Sequence, residues 1–68
     1  MQYDALDAAI VKAIKDGKRQ FYDIKTVVGE LAKPHSLRGD YFRVVDRRLQ
    51  ALRKRGRIAY IQREWYVA

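Results

Sequence analysis

The sequence predicts an α+β chain, three helices followed by a C-terminal β-hairpin, folded as one domain over residues 1–68. Apolar residues recur at helical spacing in three segments, and after Gly56 their period drops from about 3.6 to about 2. The length of 68 residues leaves room for one small core with a net stability of a few kcal/mol. Cysteine is absent, so disulfides, thiolate metal sites and cysteine nucleophiles are excluded, and apolar burial has to hold the fold.

Leu6, Ala9, Ile10, Ala13 and Ile14 form the apolar stripe of the first helix. Asp4 is its expected N-cap, Asp7 occupies the capping-box position, and Gly17 suits a left-handed end. Residues 18–20 form a polar connection, and Phe21-Tyr22 is short enough to suit a small strand. Asp23 is the expected N-cap of a second helix, with Ile24, Val27, Val28 and Leu31 at helical spacing. Val27, Val28 and Gly29 are weak helix formers, so burial must hold this segment. Pro34 ends it by pushing the preceding residue out of helical backbone, and residues 34–39 read as loop.

Asp40 is placed as the cap of a third helix that runs to about Arg55 and closes at Gly56. Its apolar stripe is Phe42, Val45, Leu49 and Leu52, and the opposite face holds Arg43, Val44, Arg47, Gln50, Ala51 and Lys54. If Gln62-Arg63 are the central turn residues, Ile61 pairs with Glu64, Tyr60 with Trp65, Ala59 with Tyr66 and Ile58 with Val67. That register gathers Ile58, Tyr60, Trp65 and Val67 on one apolar face. The turn lacks the Asn-Gly or Gly-X that two-residue loops favour, so a longer or bulged loop stays open.

Charge is distributed unevenly along the chain. Fifteen Lys and Arg against eight Asp and Glu give a net +7, of which residues 1–37 hold +1 and residues 38–68 hold +6. In that second half eight of nine bases are arginines, whose planar donor fork suits phosphate oxygens and guanine edges. A solvated face kept charged for solubility would not need such polarisation, so the balance points to nucleic acid. Ala8-Ala9-Ile10-Val11 is as long as any apolar run, far short of a membrane span, and early Asp4 and Asp7 do not suit a secretory leader. The expectation is an intracellular, cytoplasmic chain without membrane contact.

The order of elements resembles a winged helix-turn-helix domain over nearly the whole chain. The likeness is sharpest in Val45-x-Arg47-x-Leu49-x-x-Leu52-x-x-x-Gly56-x-Ile58, followed by Trp65 in the returning strand. The connection over residues 33–39 is longer than the tight turn of that motif and contains Pro34. The resemblance implies a third helix that enters the major groove of double-stranded DNA and a hairpin that serves as the wing. It further implies a small bacterial or phage-type transcriptional regulator, associated with the nucleoid and acting as a homodimer or beside a partner protein. Arg43, Arg47 and Gln50 are then expected to face bases, and Arg38, Lys54, Arg57 and Arg63 to hold phosphates. Winged helices also serve as protein-interaction modules, and in that reading the basic face docks an acidic partner.

Other chemistries find little support. His35 is the single histidine, so no multi-histidine metal site exists, and Ser36 and Thr26 have no convergent base. Asp40 and Asp46 are six residues apart on different faces of the third helix, so no catalytic constellation or cofactor site emerges. Single-strand binding would need exposed aromatics beside the basic face. Trp65, Tyr60 and Phe42 are instead expected inside, because so small a domain needs its large aromatics there, with Tyr41 and Tyr66 partly exposed. Arg38-Gly39-Asp40 matches an adhesion tripeptide, but loop and helix cap account for it.

Overall fold

Each helix in this chain exists because it hides one face from water, and the computed structural model, which describes residues 2–36 and 38–68, shows which face. The elements are α1 (Asp4–Lys15), α2 (Phe21–Ala32), a single 3-10 turn (Lys33–His35), α3 (Tyr41–Lys54), β1 (Ile58–Ile61) and β2 (Glu64–Val67). The α+β order of three helices and an antiparallel hairpin is as predicted. One core unites Leu6, Ile10, Ala13 and Ile14 of α1, Ile24, Val28 and Ala32 of α2, Val45, Leu49 and Leu52 of α3, and Ile58 and Trp65 of the hairpin. Among the described residues no helix is long and apolar enough to cross a membrane.

Helix α1 keeps the predicted stripe but not the predicted cap. Its cap position is Tyr3, with no side-chain cap bond, and Asp4 is already helical. Asp7 does not close a capping box: its carboxylate is buried and accepts from Arg48 Nε at 2.9 Å and Nη2 at 2.7 Å. The helix ends in a Schellman motif, with Gly17 at φ +102° and Lys18 N–H donating to the Ala13 carbonyl.

Phe21 and Tyr22 form no strand; they are the first turn of α2, and Asp23 lies inside that turn rather than at the cap. Two residues earlier a single backbone hydrogen bond ties the connection to the hairpin, Trp65 N–H donating to the Arg19 carbonyl at 2.9 Å. The inner stripe of α2 is Ile24, Val28 and Ala32, while Val27 and Leu31 face out at 53% and 44% exposure. Gly29 suits this phase: a Cβ there would lie 3.0 Å from Tyr41 Cε2, so a larger residue would require the Tyr41 ring to give way. Lys33 keeps helical backbone (φ −53°, ψ −43°) although Pro34 follows. The chain tightens into the 3-10 turn instead of breaking, since Pro34 sits where no N–H is required. Of the stretch read as loop, Pro34 and His35 therefore belong to that turn, and residue 37 lies outside the described residues.

Asp40 holds the cap position of α3 without a side-chain cap bond; its carboxylate accepts from Ser36 Oγ at 2.9 Å instead. Val45, Leu49 and Leu52 are fully buried, but Phe42 is 46% exposed and not part of the buried stripe. The hairpin register is as predicted, Ile58 opposite Val67 through Ile61 opposite Glu64, around a two-residue turn. Gln62 at φ +50° and Arg63 at φ +66° supply the two positive φ values of a type I′ turn without glycine. Ile58 and Trp65 of the apolar face are buried, whereas Tyr60 and Val67 reach solvent.

Candidate nucleic-acid interface

Helix α3 presents one face outward because the other is locked. With Val45, Leu49 and Leu52 fully buried, Arg43, Arg47, Gln50 and Lys54 fall on successive turns of the opposite side. Arg43, Arg47 and Lys54 are exposed and Gln50 is half-buried. Arg43 has one local tie, its Nε lying 3.7 Å from the Asp40 carboxylate. Arg38, also exposed, lines a shallow cleft of about 380 Å³ with Arg43 and Arg47 in front of the helix start.

The end of α3 fixes a second group of bases. Gly56 at φ +75° closes a Schellman motif in which Gly56 N–H donates to the Arg53 carbonyl and Arg57 N–H to the Leu52 carbonyl. This turn aims the chain into β1 and leaves Arg53, Lys54, Arg55 and Arg57 exposed around the helix C-terminus, whose dipole favours cations. The Arg57 carbonyl accepts from Ala68 N–H at 3.1 Å, so the hairpin is closed at its base. Arg63 is exposed at the turn of the hairpin.

The predicted residues thus fall into two sets. Arg43, Arg47 and Gln50 line one cleft of about 630 Å³, and Arg38 joins Arg43 and Arg47 in the adjoining one. Lys54, Arg57 and Arg63 line neither and lie toward the helix end and the hairpin turn.

Two arginines counted in the basic surplus belong to the scaffold. Arg48 clamps Asp7 with two hydrogen bonds and lies 4.4 Å from the centre of the Tyr3 ring. The Asp7 hydrogen bond raises its pKa above the ordinary guanidinium value, so it stays charged. Arg19 donates from Nη1 to the carbonyls of Trp65 at 3.1 Å and Ile14 at 3.3 Å, and it covers the Tyr66 ring at 4.4 Å. Neither role was legible by local spacing, because the partners come from distant parts of the chain.

Phe42 and Tyr60, expected in the core, are 46% and 48% exposed. Phe42 sits at the edge of the α3 stripe, and Ile58 and Trp65 fill the space under the sheet while Tyr60 leans on the Trp65 ring at 4.6 Å between centroids. Both aromatics stand on the flank of α3 that faces the hairpin, beside Asp46 and Arg53. Tyr66 donates its hydroxyl to Glu64 at 2.8 Å, which raises the phenol pKa above its usual value. Among the described residues no group of three or more His, Asp or Glu could hold a metal ion. Set against family models, curated proteins and solved structures, the chain matches none of them.

Proposed function

We propose that this protein binds double-stranded DNA in the manner of a small winged helix-turn-helix transcriptional regulator. The observation that carries the reading is the outward face of α3, where Arg43, Arg47 and Gln50 follow one another on successive turns above a fully buried opposite face. Such a ridge is about as wide as the major groove admits, and its side chains are long enough to reach base edges. Arg47, central on the ridge, and Gln50 read bases, with Arg43 beside them. Arg38, Lys54 and Arg57 flank the ridge at its two ends and hold phosphates, which supply most of the affinity and its salt dependence. The hairpin sets Arg63 on the backbone next to the occupied groove. A protein of this size covers few base pairs, so two copies on a two-fold site, or a partner protein, complete the complex near the nucleoid.

Affinity for a selected and a scrambled duplex, measured at several salt concentrations, tests this reading. Arg47→Ala should cost about 1–3 kcal/mol on the selected duplex and far less on the scrambled one. Lys54→Ala should weaken both alike and lower the salt slope by about one unit. Equal losses on both duplexes for Arg47→Ala would show a helix that grips backbone only. Absence of duplex binding at low salt would overturn the function and favour a basic face that docks an acidic protein.

A further inference from the structure

The clefts on the wing side of α3 form one trough. Its two parts share Phe21, Asp46 and Gln50; Phe42 stands at one end and Tyr60 at the other. Exposed aromatic rings beside a basic face are what single-strand recognition requires, since every base has a face to stack and every linkage a charge to neutralise. Here the rings flank the trough, and Arg43, Arg47 and Arg53 stand along it.

Asp46 decides what lies inside. Its exposed carboxylate makes no ion pair among the described residues, although three arginines line the same trough. A phosphate backbone laid along the floor would meet that negative charge. A base inserted edge-first would instead offer exocyclic N–H groups to Asp46 and leave its phosphate beside Arg53 outside.

We infer that this trough accepts an unpaired base, stacked on Phe42 or Tyr60, so that the protein prefers DNA in which duplex adjoins a short unpaired segment. The inference rests on the duplex reading above, with α3 in the groove and the trough receiving a base displaced next to it. A continuous duplex leaves the rings empty.

Three fluorescent probes of one sequence test it: a duplex with a short central bubble, the same duplex fully paired, and one of its strands alone. The bubble should bind about tenfold more tightly than the paired duplex, the effect of one base stacked on an aromatic ring. Phe42→Ala combined with Tyr60→Ala should abolish that preference and leave paired-duplex affinity in place, while Phe42→Trp retains it. Circular dichroism checks that the variants fold, as their surface exposure predicts. Iodouracil placed in the bubble gives a readout on the unaltered protein, and its photocrosslink should map to Phe42 or Tyr60. Equal affinity for bubble and paired duplex overturns the inference and leaves duplex binding intact. So does a crosslink elsewhere, or an acidic tryptophan-bearing peptide that occupies the trough in the absence of any bubble preference. Failure to bind any of the three probes overturns both readings.

Discussion

Asp7 is the one buried acid among the described residues, and Arg48 is its base, with side chains only 10% and 13% exposed. Both carboxylate oxygens accept from the guanidinium, and the Tyr3 ring screens the pair from water. Removing one partner strands the other charge where solvent reaches it poorly, which costs more than the pair itself contributes. Asp7→Asn should therefore lower stability by about 3 kcal/mol in urea unfolding. Replacing both partners with apolar residues of similar volume, Asp7→Leu with Arg48→Met, should recover most of that loss. A loss under about 0.5 kcal/mol for Asp7→Asn would mean that the pair behaves like an exposed surface bridge. This residue pair also shows why charge counting overstates the interface: an arginine read only as positive charge says nothing of the carboxylate that holds it.

At the scale of elements, the hairpin turn keeps two side chains at positive φ where glycine would fit without strain. An L-residue in left-handed backbone costs about 1–2 kcal/mol, so Arg63 is retained at a structural disadvantage. Arg63→Gly should raise the melting temperature, by the equivalent of about 1 kcal/mol, and at the same time weaken duplex binding. A variant that is more stable and binds as before would remove the wing from the interface. The hairpin was legible in the sequence down to its register, because alternation has a period of two and a slip by one would turn Trp65 outward. The outward ridge of α3 was legible for a similar reason, since Val45, Leu49 and Leu52 leave one phase only. The phase of α2 was not. Val27 and Leu31 are as apolar as Ile24 and Val28, and what separates them is packing between helices, where Tyr41 lies against Gly29. Phe42 escaped in the same way, lying about 60° from the centre of the α3 stripe, where either side of the boundary is compatible with its spacing. The trough between α3 and the hairpin depends on such boundary residues, so it emerged only with the tertiary packing.

At the scale of the whole molecule, twelve buried apolar side chains among the described residues stand against a net charge of +7. A core of that size leaves a net stability of a few kcal/mol, comparable to the loss from deleting its largest member. Trp65→Ala should cost about 3–5 kcal/mol and leave the chain unfolded at room temperature by circular dichroism. An unchanged melting temperature would show that the hairpin contributes nothing to the core. Beyond its packing, the hairpin is fastened to the helices by little: the Trp65 amide on the Arg19 carbonyl and the Arg19 guanidinium reaching back across to Trp65 and Ile14. In mechanical terms Arg19 is a rivet. It lies in the connection between α1 and α2 and ties both the end of α1, through the Ile14 carbonyl, and the second strand, through the Trp65 carbonyl, to one guanidinium. The seating of the hairpin beside α3 thus depends on a side chain that belongs to neither element.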